Sequence, residues 1–270
     1  MNGGAVLPTY RTLKQEQFLS IWLMILVIGL SPFSAHAEIR IFDGHPLENP
    51  ERTNRSVSDS DREIIETDLR KKTGMESIEF DQKGLLSYDG NEQAYKSSKT
   101  MRRAILGAID DKNNIFFISD VSGSRQIQFA LTDRGTIDTN TRITSYQVMI
   151  DFADFKNSRK YSPVQVSDSY TIGITLYHEI NHKVSYDPND PIPPSGVRPD
   201  LGTKSVRGVI ENTNAVRKEL SLSLRDSKSY LANEYRGNNK VYAKTHQVLF
   251  RCFRGKLKLY LRWKIEDKRT

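Results

Sequence analysis

Hydrophobic residues recur with two different spacings along the chain, so both helices and strands are predicted. Apolar residues three to four positions apart predict helices over residues 60–73, 92–109 and 204–220. The first of these helices carries a capping pair at its start, Ser60 and Glu63. The expected fold therefore contains at least these three helices.

Runs of β-branched and aromatic residues, separated by glycine and polar turns, predict the strands of a small mixed sheet. Such runs occupy residues 39–42, 83–89, 115–121, 126–132 and 142–152. Near the C-terminus, Lys256–Lys264 alternates basic and apolar residues with period two, which is typical of an amphipathic edge strand. A helix pair followed by several strands is typical of the α+β class, which is the fold class that we expect.

A fourth helix is predicted within the stretch Tyr170–Tyr186, where uncharged and apolar residues surround two histidines. The segment Ser167–Ser169 precedes this stretch and offers side chains that can cap the start of the helix. His178 and His182 are four positions apart, and a helix has 3.6 residues per turn. Both imidazoles are therefore expected on the same helix face.

The five residues from His178 to His182 have the HExxH pattern, which is the metal-binding motif of zinc peptidases. Two imidazoles on one helix face can bind the same Zn²⁺, and Glu179 projects beside that ion, where it can accept a proton from water. The sequence therefore predicts a zinc site with His178 and His182 as ligands and Glu179 as the general base. The competing interpretation is a solvated helix with two incidental histidines.

A catalytic zinc site needs a third protein ligand, and the sequence leaves three candidates for it. The longer HExxHxxGxxH pattern is absent, because Pro188 stands at the position of its last histidine. Glu211, in a weakly charged part of the predicted helix 204–220, is the first candidate for the third ligand. Asp200 is the second candidate, and His246 is the third.

The first 37 residues have the pattern of a secretory signal peptide. Basic residues precede the apolar run Ile21–Leu30, and the small residues Ala35 and Ala37 stand before the expected cleavage site. This run is shorter than the roughly 20 residues that a membrane-spanning helix needs. We expect cleavage before Glu38 and export of the mature chain, which is then periplasmic or secreted.

Composition adds limits to this picture without changing it. A chain of 270 residues with 37% hydrophobic and 27% charged residues can form one ordinary domain with a sizeable core. Cys252 is the only cysteine, which excludes an internal disulfide. The apolar and basic residues around it predict a buried structural cysteine rather than a reactive thiol.

The residues after the HExxH motif resemble a block of a known enzyme family. Asn214–Arg225 reads NAVRKELSLSLR and is followed by Tyr230. This run resembles the N-x-x-R-x-E-L-G-L-P-L-R-x-x-Y block that follows HExxH in bacterial effector zinc metallopeptidases of the NleD type. Related domains form the toxin tips of Rhs-type proteins. In this chain, Ser221 and Ser223 stand where the family has glycine and proline.

The resemblance implies a zincin-like fold, a bound zinc ion and endopeptidase activity. It implies a protein substrate, such as a host signalling protein, and a role as an effector, toxin or virulence factor. In zinc peptidases, the strand before the active-site helix borders the cleft, and substrate adds to it as a further strand. The strand Tyr146–Phe152 comes just before the motif helix in the chain, and from this order it is expected to be that border. Tyr230 and Arg225 are candidates for stabilising the oxyanion.

The C-terminal end of the chain differs from the rest in charge. Residues 236–270 contain eleven lysines and arginines against two acidic residues, a net charge of +9, whereas the whole chain carries +7. Aromatic residues lie between the basic ones, so an acidic partner is a candidate, although no obligate nucleic-acid ligand is expected. The expected organisation is thus a signal peptide at 1–37, a zincin-like metallopeptidase domain at 38–235 and a basic segment at 236–270.

Two functions from different classes are compatible with these patterns. The first is a secreted zinc endopeptidase of the effector or toxin kind, which uses Glu179 as its general base. The alternative is an exported, non-catalytic binding protein that uses its basic C-terminal segment and has a degenerate HExxH motif. Zinc binding by His178 distinguishes them.

Overall fold

The computed structural model describes residues 38–42, 54–90, 97–124, 127–182, 206–227 and 246–263, and it confirms the α+β class. The helices are α1 (Asp59–Thr73), α2 (Lys99–Asp110), α3 (Phe152–Tyr161), α4 (Val164–Ser167), α5 (Ile172–Asn181) and α6 (Val206–Glu219). The strands are β1 (Glu38–Ile41), β2 (Glu79–Phe80), β3 (Leu86–Ser87), β4 (Asn114–Asp120), β5 (Ala130–Ile137), β6 (Thr144–Ile150), β7 (Leu224–Arg225), β8 (His246–Arg251) and β9 (Lys258–Trp263).

The larger sheet has four strands in the order β1-β4-β6-β5. β1, β4 and β6 run parallel, whereas β5 is antiparallel to β6 and lies at the edge of the sheet. The two central strands, β4 and β6, each pair with a strand on both sides, and they carry fully buried residues such as Phe116 and Val148. β5 therefore presents the antiparallel edge of this sheet.

The second sheet, β7-β8-β9, belongs to the same hydrophobic core as the first. Val248, Phe250, Leu261 and Trp263 are buried in the core cluster that also contains the central strands. The ring of Trp263 meets that of Phe129 edge-on, with 4.8 Å between the ring centroids. The described part of the predicted basic segment is therefore packed into the domain that precedes it.

The period-two pattern near the C-terminus correctly predicts an amphipathic strand. In β9, Lys258 and Arg262 are exposed, whereas Leu261 and Trp263 are buried. β9 is the last strand of its sheet, as an edge-strand pattern predicts. Cys252 follows β8 directly and is only partly buried, so the prediction of a buried cysteine is wrong.

Several predicted boundaries shift because the capping residues differ from those expected. α1 begins one residue earlier than predicted, and its N-cap is Ser58, whose side chain accepts a hydrogen bond from the Asp61 N–H. α2 begins only at Lys99, where Ser98 is the cap, and not at residue 92. β5 begins at Ala130, four residues later than predicted, and continues past Thr132 to Ile137.

Helices α3 and α4, which follow β6 directly, are not among the elements predicted from the sequence. Asp151 caps α3 by accepting a hydrogen bond from the Asp154 N–H, and Phe152 and Phe155 turn into the core. The signal was present as an aspartate followed by apolar residues three positions apart. The apolar run of β6 continues into Phe152 and conceals the start of the helix.

Helix α5, which carries both histidines of the motif, receives its N-terminal cap from another helix. The predicted caps at Ser167–Ser169 are wrong, because α5 begins at Ile172 and the preceding Thr171 makes no capping side-chain bond. Instead, Asp68 of α1 accepts a hydrogen bond of 2.7 Å from the Gly173 N–H. A Cβ atom at Gly173 would lie 2.8 Å from that carboxylate oxygen, so glycine permits the close contact. α1 therefore fixes where α5 starts.

Among the described residues, no helix combines the length and the apolar character that crossing a membrane requires. The predicted signal peptide at 1–37 lies outside the described residues.

Candidate functional site

The two motif histidines lie at the C-terminal end of α5. His178 is in the last turn of the helix, and His182 is its C-cap, with helical backbone angles of φ −63° and ψ −19°. Their ring centroids are 5.0 Å apart, and the ring planes are perpendicular. The spacing of four residues therefore brings the two imidazoles together on one side of the helix end.

Thr213 of α6 determines which nitrogen of His178 carries the proton. The Thr213 hydroxyl donates its only proton to the carbonyl oxygen of Val209, at 2.7 Å. Its oxygen lies 3.0 Å from His178 Nδ1, so it accepts a hydrogen bond from the Nδ1–H. In neutral His178 this leaves the lone pair on Nε2, where it is available to bind a metal ion.

The surroundings of His178 favour the neutral ring. Burial lowers the pKa of His178 well below its ordinary value, and the nearby positive charges of His182, Arg225 and Arg217 lower it further. A histidine that binds a metal must be unprotonated. The environment of His178 therefore agrees with the ligand form that the Thr213 hydrogen bond selects.

Glu179 points to the edge strand of the larger sheet. Its side chain is buried, with 8% of the residue exposed, and the Thr132 hydroxyl of β5 donates a hydrogen bond of 2.9 Å to Oε2. The expected border strand is β6, but β6 is paired on both sides, with β4 and with β5. That expectation is wrong, and β5 is the edge strand beside the candidate site.

The three candidates for a third metal ligand have different positions. Glu211 is on α6, two residues before Thr213, and a helical rotation of about 100° per residue places it roughly 160° around the helix from Thr213. Among the described residues, no three His, Cys, Asp or Glu side chains lie close enough together to hold a metal ion, and the identity of the third ligand stays a prediction. Asp200 lies outside the described residues, and His246 is the first residue of β8.

Two arginines of the C-terminal block, Arg217 and Arg225, are tied together by Asn214. Asn214 Oδ1 accepts hydrogen bonds from the Arg225 backbone N–H and from Arg217, and the Asn214 amide donates to the carbonyl oxygen of Arg225. Arg217 Nε also donates to the Ser169 carbonyl, just before α5. These bonds hold α6, β7 and the start of α5 in one arrangement around His178.

Arg217 is a buried cation, with 2% of the residue exposed. Burial is the main cause that lowers its pKa to about 9, and the charge of Arg225 adds to the effect. Its guanidinium carbon lies 5.5 Å from the centre of the Phe250 ring, which contributes a cation–π contact. Arg217 therefore has a structural role in the interior. Its positive charge and that of Arg225 both lower the pKa of His178.

Glu219 completes the block by capping a distant helix. Its carboxylate accepts hydrogen bonds from Ser98 Oγ at 2.6 Å, from the Thr100 N–H at 3.1 Å and from Thr100 Oγ1 at 2.5 Å. Ser98 and Thr100 are at the start of α2, where backbone N–H groups lack partners within the helix. Glu219 thus fixes α6 against α2. Tyr230, the last residue of the block, lies outside the described residues.

Two threonines of the site, Thr132 and Thr213, are not among the residues predicted from the sequence. Thr132 lies on a strand 47 residues before Glu179, and Thr213 lies 35 residues after His178. A threonine in a strand or a helix has no distinguishing signal in a single sequence. These contacts depend on which elements become neighbours in the fold.

No family model, no curated protein and no solved structure matches the chain.

Proposed function

We propose that the protein is a secreted zinc-dependent endopeptidase with a zincin-like arrangement of helix and sheet. The observation that carries the proposal is the set of contacts around His178, His182 and Glu179. Thr213 orients one imidazole, the second imidazole lies beside it, and Thr132 of the edge strand holds the buried carboxylate. A solvated helix with incidental histidines does not require any of these contacts.

His178 and His182 fit a zinc ion as its first two ligands, whereas the described residues place no third His, Cys, Asp or Glu beside them. Imidazole nitrogen is a preferred zinc donor, and a hydroxyl group bonded to the other ring nitrogen is the kind of outer contact that orients such ligands. His178 and His182 would hold the ion, and one of Glu211, Asp200 and His246 would supply the third ligand. Which of these three does so stays a prediction.

Glu179 and Thr132 have different roles in the proposed reaction. Zinc, when bound, supplies Lewis-acid chemistry that makes a water acidic enough to ionise near neutral pH. Glu179 accepts the proton of the attacking water on its carboxylate and returns a proton to the leaving amine when the peptide bond breaks. Thr132 holds the carboxylate in position throughout, because its hydroxyl bonds to Glu179 Oε2.

The edge strand β5 indicates the class of substrate. An exposed antiparallel edge can pair with an extended peptide through its backbone N–H and C=O groups. Leu131 and Ile137 on β5 are 41% and 48% exposed, so apolar side chains of such a peptide have partners there. Because Thr132 joins β5 to Glu179, a peptide paired with this edge lies beside the general base. We therefore propose a protein substrate.

One structural detail supports the resemblance to the NleD-type effectors. Ser221 follows α6 with φ +56°, in the left-handed region that glycine adopts most easily. The resemblance places a glycine at this position, so the backbone has the conformation that the family's residue would favour. We propose the role of an effector or toxin acting on a host signalling protein on this basis, together with export by the predicted signal peptide.

Zinc analysis of the mature chain tests the proposal. We expect about one zinc ion per chain by mass spectrometry of the metal content, because two oriented imidazoles and a third protein donor make up the ligand set of a catalytic zinc site. His178→Ala is expected to lose the ion, whereas His45→Ala, a change of the same kind outside the motif, is expected to keep it. Parallel variants Glu211→Gln, Asp200→Asn and His246→Ala identify the third ligand.

A folded wild-type chain without zinc would contradict the metallopeptidase proposal and would favour the binding protein with a degenerate motif. Equal zinc content in the His178→Ala variant would place the ion elsewhere and would also reject this site.

Thr213 gives a second expected result. Thr213→Val keeps the shape of the side chain but removes the acceptor for His178 Nδ1–H, so the ring is no longer held in one tautomer. We expect zinc affinity to fall about 10- to 100-fold, as for other residues that orient metal ligands. Thr213→Ser retains the hydroxyl and is expected to bind zinc within about threefold of the wild type. Competition titration with a zinc chelator measures both.

A purely structural role for Thr213 would lower stability in both variants without separating their zinc affinities. Equal affinities for the valine and serine variants would therefore refute the proposed orientation of His178.

A further inference from the structure

The β8–β9 hairpin carries a cluster of basic side chains on its tip and outer face. We call this surface the basic hairpin face, and its cations are Arg254, Lys256, Lys258 and Arg262, all of which are exposed. In the register of the hairpin, Lys258 pairs with Arg251, and Arg262 pairs with Gln247. Successive side chains of a strand point to opposite faces, so Lys258 and Arg262 project away from the buried side chains of Leu261 and Trp263. Directly paired residues of antiparallel strands point to the same side, so their partners on β8 lie on this outer face as well.

The charge of this surface is not neutralised within the described part of the chain. Among the described residues, the ion pair of the hairpin joins Arg251 to Asp226 at 2.8 Å. The four cations of the basic hairpin face form no ion pair with the described residues. A rigid β-hairpin therefore holds four positive charges together, which makes an anionic partner electrostatically favourable.

Two features of the basic hairpin face argue against nucleic acid and against a peptide strand. The guanidinium groups of Arg254 and Arg262 lie over the rings of Phe253 and Tyr260, each 5.5 Å from the ring centre, so those ring faces are occupied. Single-stranded nucleic acid uses open aromatic faces for stacking. In addition, Ser162 bonds to both the N–H and the C=O of Arg262, which blocks strand addition at that end of β9.

The tip of the hairpin also exposes an apolar side chain between two lysines. Leu257 is 63% exposed, and Lys256 and Lys258 flank it in the sequence. The turn is closed by hydrogen bonds from Cys252 N–H to Leu257 C=O and from Gly255 N–H to Cys252 C=O. A fixed apolar side chain surrounded by long cationic ones suits a surface with phosphate groups outside and hydrocarbon beneath.

We propose that the basic hairpin face docks the protein onto anionic phospholipid membranes. The lysine and arginine side chains contact the lipid phosphates, and Leu257 enters the boundary between headgroups and acyl chains. The inner face of the same hairpin is packed in the core, so docking requires no folding of the segment. This inference does not depend on zinc or on peptidase activity, because none of its residues belongs to the candidate catalytic site.

Sedimentation with lipid vesicles tests the docking surface on the full mature chain. Vesicles of phosphatidylcholine with about 30 mol% phosphatidylglycerol are compared with pure phosphatidylcholine at roughly 0.1 M salt. We expect binding to the anionic vesicles that weakens as salt is raised. The double variant Lys256→Gln/Lys258→Gln is expected to bind about 25-fold more weakly, since each lysine near an anionic surface contributes roughly fivefold. Leu257→Ser is expected to lose about three- to tenfold.

The matched control is Lys83→Gln/Lys112→Gln, which removes the same charge from exposed lysines elsewhere on the domain. It is expected to bind within about twofold of the wild type. Equal losses in the two double variants would overturn the proposal, because net charge rather than this surface would then explain binding. Equal binding to neutral vesicles would also overturn it, as would binding to single-stranded DNA that is tighter than lipid binding and is abolished by the hairpin variant.

Discussion

Replacing Glu179 by glutamine is expected to abolish cleavage while leaving the zinc site intact. The amide has the shape of the carboxylate but does not accept a proton at neutral pH, so the attacking water loses its base. We expect the turnover rate to fall by about 10²- to 10⁴-fold. The Thr132 hydroxyl can still donate to the amide oxygen, so the contact between α5 and β5 is expected to remain.

The measurement is a proteome-wide cleavage assay that compares new protein N-termini produced by the wild type and by the Glu179→Gln variant. Glu79→Gln, which changes an exposed glutamate on β2, is the matched control and is expected to cleave like the wild type. Zinc content is determined for all three proteins. Unchanged cleavage by the Glu179→Gln variant with normal zinc would eliminate Glu179 as the base. Loss of zinc from that variant would assign a different role to the carboxylate.

The local part of the candidate site could be predicted from the sequence, because it depends on helical spacing. A four-residue interval fixes the relative positions of His178 and His182 wherever the helix lies. The period-two alternation of Lys256–Lys264 similarly determines which side chains of β9 are buried. Both inferences need only the geometry of a single element.

The sheet order could not be predicted in this way. β6 precedes the motif helix more closely than β5 does, yet β6 pairs with β4 on one side and β5 on the other. Which strand becomes the edge depends on pairings between distant segments, so the position of Thr132 beside Glu179 was not accessible from residue order. The cap of α5 also could not be predicted from residue order, because it comes from Asp68, 105 residues before Gly173.

The block at 214–225 shows how a motif can contain structural residues as well as chemical ones. Asn214, Arg217 and Glu219 hold α6 against β7, the start of α5 and the start of α2. Ser223 stands where the block that the sequence resembles has proline, and its N–H donates to Ser169 Oγ at 2.8 Å, a bond that proline cannot make. The block therefore places Thr213 against His178, and the third ligand has to be identified by the zinc variants.

Trp263→Ala is expected to cause the largest loss of stability among the changes considered. Trp263 is fully buried and contacts Phe129, so its truncation removes a large aromatic side chain and leaves a cavity between β9 and the core. We expect the free energy of unfolding to fall by about 3–5 kcal/mol, a large part of the roughly 5–15 kcal/mol that a domain has in total. Urea unfolding followed by circular dichroism measures it.

Two milder changes test whether the loss of stability in Trp263→Ala comes from the packing of the C-terminal strands in the core. Trp263→Phe keeps an aromatic ring beside Phe129 and is expected to lose only about 1–2 kcal/mol. Leu257→Ala, at an exposed position of the same hairpin, is expected to stay within about 0.5 kcal/mol of the wild type. If Trp263→Ala were no more destabilising than Leu257→Ala, β8 and β9 would not belong to the core. The basic segment would then be an independent extension whose removal leaves the candidate site intact.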